Sequence, residues 1–225
     1  MKVWRRLHQL GAFALKQTVY ILPNTDEALE DFQWLRQEIE AEGGTAVIAE
    51  LDFVEGVGDE EIHANLPTSR PAAAPKKRRA AKEKVAPGRT WVTRAGVYVD
   101  RISSAWLIRR FIDPKARFKF VAARGYTMRP GELGFDMPNA EYTHVGSACT
   151  FQTLLSRFGL AEAALVAIGE IVHDIDCKDD AFNRAETAGV SGLMQGIARR
   201  YHGDRERLAR GTDILDDLYA HYSRR

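Results

Sequence analysis

From Asn65 to Arg89 the chain is given over to proline, alanine, lysine and arginine, centred on Pro71-Ala72-Ala73-Ala74-Pro75-Lys76-Lys77-Arg78-Arg79-Ala80. Such a tract carries no apolar periodicity, so it adds nothing to a core and separates two bodies that must each bury their own. The expected division is a small domain over 1–63, a basic linker over 64–90 and a larger domain over 91–225. Charge follows that division. Residues 1–69 hold 5 basic and 13 acidic side chains, residues 70–90 hold 8 and 1, and the remainder holds 19 and 17. A strongly acidic first domain offers little to a polyanion. Any phosphate contact therefore falls to Arg5 and Arg6 on the first helix, or to Lys76, Lys77, Arg78 and Arg79 in the linker. The basic run also fits a solvated tether.

The hydrophobic pattern predicts an α+β protein. In the first domain Val3 to Leu15 reads as a helix, Thr18 to Leu22 as a strand, Asn24 or Thr25 as the cap of a helix to about Glu42, and Thr45 to Leu51 as a second strand. The result is a small αβαβ unit. In the second domain Trp91–Arg94 and Val97–Arg101 read as a β-hairpin about Ala95-Gly96, followed by a helix that Ser103 caps and Pro114 ends. Phe118 to Val121 is another strand. Helices are expected from Ser147 or Thr150 through Arg157, over Ala161–Asp176, over about Glu186–Tyr201 and over about Asp204–Tyr222, so this domain is helix-rich toward its end.

Several function classes lack support. No run of 18 apolar residues exists and the first residues lack the apolar stretch of a secretory signal, so a cytoplasmic protein with no membrane partner is expected. Cys149 and Cys177 are the two cysteines, with no Cys-x-x-Cys pair, which argues against a disulfide framework and a thiolate zinc finger. Gly-x-Ser-x-Gly, P-loop and Gly-x-Gly-x-x-Gly patterns are all missing.

Two constellations remain. Glu170, His173, Asp174 and Cys177 fall at i, i+3, i+4 and i+7 and share one stripe of a helix that is otherwise apolar on both faces. Glu170, His173 and Asp174, with His144 added, could hold a divalent metal ion, since a Glu-x-x-His pair on an inward-facing helix offers an oxygen and an imidazole to one ion. An amphipathic helix with a solvated acidic end fits the same spacing. The second constellation is cationic. Arg94 and Arg101 end the two strands of the expected hairpin, and with His144 they could grip a tetrahedral oxyanion through fork-shaped hydrogen bonds. Salt bridges to Asp100, Asp113 or the acidic helix would use the same arginines differently. Asp136 and Glu186 could bring further carboxylates to the site, or serve as caps.

The chain resembles the chromate-resistance ChrB family. The likeness runs over 91–221, and the motifs that carry it are Trp91-Val92-Thr93-Arg94, Val99-Asp100-Arg101-Ile102, Ser104 to Pro114, Thr143-His144, Cys149-Thr150-Phe151 and Ile171-Val172-His173-Asp174-Ile175-Asp176. Residues 3–23 resemble the amino-terminal domain of the same family, similar in style to the PaaX group of bacterial repressors. The resemblance implies a cytoplasmic bacterial protein that regulates a chromate efflux operon in response to chromate. Chromate or a similar oxyanion then becomes the ligand of Arg94, Arg101 and His144, and promoter DNA the partner. The alternative is a metal-dependent enzyme of the same resistance system, redox or hydrolytic, using the Glu/His/Asp site. A third role for the last two helices is to pair two copies into a homodimer.

Overall fold

The computed structural model describes residues 2–16, 18–51 and 83–223. Lys76, Lys77, Arg78 and Arg79 lie outside the described residues, as does the Arg5 side chain. The chain forms two compact units, 1–70 and 71–225, and its class is α+β.

In the first unit helix α1 (Lys2–Gln9) leads into an antiparallel hairpin of β1 (Phe13–Lys16) and β2 (Val19–Ile21), then helix α2 (Asp26–Ala41). The expected first helix therefore stops six residues early. Gly11 adopts a left-handed conformation after α1 and turns Phe13 into the hairpin. Thr25 caps α2 by accepting the Ala28 amide at 3.1 Å. Leu7, Ala12 and Leu35 are buried together, with Phe32 and Ile39 of α2 packed against them. The strand expected over 45–51 is not formed. Those residues pair with no strand among the described residues, and Val47 is 94% exposed, so the order is αββα rather than αβαβ.

The second unit is built on a three-stranded parallel sheet in the order β4-β3-β5, with β3 spanning Thr90–Arg94, β4 Arg117–Val121 and β5 Glu132–Gly134. The expected hairpin gives way to a strand and a helix. After β3 the chain passes a left-handed Gly96 and enters α3 (Val99–Leu107), which continues as a π-helical turn over Ile108–Ile112. Val97 and Val99 are both buried in one core, and their β-branched alternation fits a strand as well as this helix start. Helices α4 (Thr150–Phe158), α5 (Ala163–Cys177), α6 (Thr187–Arg200) and α7 (Asp204–Ser223) follow close to the bounds expected from their periodicity. No helix among the described residues is long and apolar enough to cross a membrane.

Two features fix how these elements meet. The Asp113 carboxylate accepts the amides of Gly88, Arg89 and Lys115 and the Trp91 indole N–H, at 2.7, 2.9, 3.1 and 3.2 Å, and so ties the start of β3 to the end of the π turn. Burial works against its charge, but those four donors hold the carboxyl below its usual range. At the crossing of α7 over α3, a Cβ on Gly211 would lie 2.3 Å from Ile102 Cγ2. Only glycine lets the helices approach this closely.

Candidate functional site

Asp100 stands in the first turn of α3 and is almost wholly buried. Its carboxylate caps the next helix in space: Oδ2 accepts the Thr150 amide at 2.7 Å, and Oδ1 accepts the Phe151 amide at 2.9 Å and the Ser104 hydroxyl at 3.1 Å. An acid at a helix N-terminus needs no further justification there. The neighbouring residue, Arg101, turns toward Asp136, its Nε lying 3.3 Å from the Asp136 carbonyl and 3.5 Å from the Asp136 carboxylate.

Asp136 follows β5 and Phe135 in a left-handed conformation, φ 46°, which is costly for a non-glycine residue and is sustained here by its bonds. Thr150 donates its hydroxyl to Oδ1 at 2.8 Å, and Thr93 donates to the carbonyl at 3.4 Å. Into this frame comes His144, from the irregular segment before α4. Its Nε2 lies 3.3 Å from Asp100, 3.5 Å from Asp136 and 3.3 Å from Asp176, a residue of the last turn of α5. One imidazole nitrogen thus faces three carboxylates carried by three separate parts of the fold.

The electrostatics follow from that crowding. Burial pushes the Asp100 carboxyl up to about 7, and the negative charges of Asp136 and Asp176 add to it against the hydrogen bond from His144. Burial also opposes charge on Asp136, but the His144 hydrogen bond, the Arg101 guanidinium and the Thr150 hydroxyl hold this carboxyl below its usual range. For His144 burial disfavours the cation, and hydrogen bonds to Asp100, Asp136 and Asp176 overcome it, holding the ring well above the usual histidine value. Burial, followed by the charge of Asp100, drives the Cys149 thiol far up, which makes it a poor nucleophile.

Of the cationic residues singled out in the sequence, Arg101 and His144 meet at Asp136. Arg94 ends β3 one residue beyond Thr93 and is buried. The carboxylate stripe on α5 is divided differently. Glu170 pairs with Arg184 at 2.6 Å. His173 is held between the Gln152 side chain, 2.8 Å from Nδ1, and Asp179, 2.9 Å from Nε2. Asp174 accepts the amides of Phe182 and Asn183, at 3.1 and 2.7 Å, and folds the segment after α5 back upon the helix. Carboxylate, imidazole and thiol atoms lie close enough to share one cation in three places among the described residues: Asp100 with Asp136 and His144; His144 with Asp176 and Cys177; and His173 with Asp174 and Asp179. None of these joins His144 to Glu170 or His173. Asp176 was the residue the sequence hid, because it stands in an acidic run with Asp179 and Asp180 that resembles a solvated surface.

Chemically, the first of these clusters can do two things. It can release Arg101 and His144 to an incoming anion if Asp136 gives them up, or it can give its carboxylates to a cation if the proton on His144 leaves.

The family model described as the ChrB C-terminal domain matches residues 91–222, and that of the ChrB N-terminal domain matches residues 1–72. Protein ChrB of Cupriavidus metallidurans is 38% identical over 138 residues, which is 60% of this chain and 41% of that protein, so the match spans less than half the length of the relative. No solved structure matches. The first of these models alone spans more than half of the chain, including every residue of the His144 cluster: the chain belongs to the ChrB family.

Proposed function

We propose that the protein is a cytoplasmic, chromate-responsive transcription regulator of a chromate-resistance operon, with Arg101 and His144 as the cations that receive the oxyanion and Arg94 as the third. The observation that supports this reading is the convergence of Arg101 and His144 on one buried carboxylate, Asp136, from separate elements. An arriving dianion competes with Asp136 for both cations. Proton uptake by Asp100, poised at about 7, removes one negative charge from the anion's surroundings and turns an acceptor into a donor. Because Asp100 also caps α4 through Thr150 and Phe151, a change at the anion site acts on the position of that helix. A ligand shifts such an equilibrium only by its difference in affinity for the two states. DNA contact is assigned to Arg5, Arg6 and the basic run from Lys76 to Arg79.

The test is a binding isotherm of the full chain on its own promoter fragment at near-physiological salt, with chromate, with sulfate and with neither. Tight binding released by chromate and not by sulfate is the expected result. Specific binding that chromate leaves unchanged, or no specific binding, would sink the reading.

A second reading is favoured by a different observation, the three carboxylates around His144. On that reading Asp100, Asp136 and His144 hold a divalent cation for redox or hydrolytic chemistry on a small substrate. Purified protein would then retain close to one equivalent of metal, lost in Asp136→Asn.

A further inference from the structure

Away from the His144 cluster, a cleft of about 650 Å³ lies between the π-helical turn, β4 and α7, lined among others by Arg109, Arg117, Arg205, Phe118, Phe120 and Asp213. That volume is in the range of small-molecule sites. A smaller hollow of about 180 Å³ adjoins it and shares Arg109 and Phe118.

The arginines of this cleft are not occupied as surface arginines usually are. Arg109 lays its guanidinium over the Phe118 ring, 4.7 Å from the centroid, and reaches a carbonyl, that of Ala116, at 3.5 Å. Arg117 and Arg205 have no carboxylate partner among the described residues. The contrast is with Arg110, next in the chain, which pairs with Asp216. Asp216 is further engaged by the Trp106 indole N–H at 2.9 Å and lines the smaller hollow, not the cleft itself. Three arginines from three elements therefore line the cleft, with Asp213 the one carboxylate among its lining residues. A guanidinium fork suits phosphate oxygens, and a cluster of forks suits more than one phosphate. Phe120 adds flat apolar surface beside them, on which a planar ring can rest. The element that presents Arg109 is itself π-helical, a geometry frequent at functional sites.

We propose that this cleft binds a nucleoside di- or triphosphate, its phosphates on Arg117, Arg205 and Arg109 and its base against Phe120. The site shares no residue with the cluster about Asp100 and His144, and it stands whether or not chromate is the ligand there.

The experiment is calorimetric titration of the full chain with ADP, ATP, adenosine and pyrophosphate, repeated on Arg117→Ala and on Arg205→Gln. Both side chains are exposed, and thermal melts of each variant establish that it folds. ADP or ATP is expected to bind at least about tenfold more tightly than adenosine or pyrophosphate, and each substitution to weaken it about tenfold, one charged hydrogen-bonding group's worth. Added salt should weaken binding of the wild type more than that of either variant. The proposal is overturned if neither nucleotide binds at millimolar concentration. Pyrophosphate binding as tightly as ADP, or variants that fold normally and bind as the wild type does, would overturn it equally.

Discussion

Asp100 and His144 meet 3.3 Å apart, and of the two it is the carboxyl whose charge is brought to the edge of neutrality. The imidazole is held cationic by three carboxylates, whereas Asp100 is buried beside two other acids. This pairing sets how the protein answers to pH.

Between about pH 4 and 7 the native state takes up more protons at Asp100 than the unfolded chain does, because its folded value is raised from 3.8 to about 7. Stability contributed there is full below the unfolded value and falls as pH rises toward 7. His144 works in the same direction higher up, its contribution present below 6.5 and lost as pH rises through its raised folded value. Asp113, Glu132, Asp136 and Glu186, all held below their usual range, contribute stability that is lost only at lower pH. The urea midpoint of the wild type should therefore fall between about pH 5 and about pH 7, and Asp100→Asn should flatten that slope. A slope unchanged in Asp100→Asn would show that the buried acid is not its source.

The contact between α3 and α7 makes a sharp packing prediction. Gly211→Ala places a methyl 2.3 Å from Ile102 Cγ2 in a filled core and should cost about 1–3 kcal/mol. Ile102→Ala removes the obstructing atom, so the double variant should be more stable than the two single losses add up to. Simple additivity in chemical denaturation would mean that the helices move apart instead.

On α5, Glu170 and His173 should separate in their effects. Glu170 is partly exposed with Arg184, so Glu170→Ala is expected to cost at most about 1 kcal/mol and to leave metal content untouched. His173→Ala removes a buried imidazole that Asp179 and Gln152 hold on its two nitrogens and should cost about 2–3 kcal/mol. Loss of a bound metal on replacing Glu170 would restore the helical stripe as a ligand set.

The contrast on α5 shows what the sequence could carry. Its apolar periodicity was enough to set the bounds of α5, α6 and α7, because those residues pack wherever the neighbours come from. The spacing of Glu170, His173 and Asp174 was equally legible, but their partners, Arg184, Asp179 and the Phe182 amide, come from a segment whose return path no local pattern encodes. Similarly, Asp100, Asp136 and His144 could each be picked out singly, whereas their convergence depends on the parallel sheet and on α3, where a hairpin had been expected. A hairpin would have set Arg94 and Arg101 at one sheet edge. The helix instead turns Arg101 to Asp136 and leaves Arg94 at the end of β3.

The most direct measurement of the proposed sensing site is equilibrium dialysis of chromate against the full-length wild type, Arg101→Ala and Asp100→Asn, with excess sulfate as competitor. One chromate per chain is expected in the wild type, with at least about tenfold weaker binding in Arg101→Ala and tighter binding in Asp100→Asn, where a nearby negative charge has been removed. Binding that survives intact in Arg101→Ala, or that weakens in Asp100→Asn as metal-bridged binding would, contradicts it.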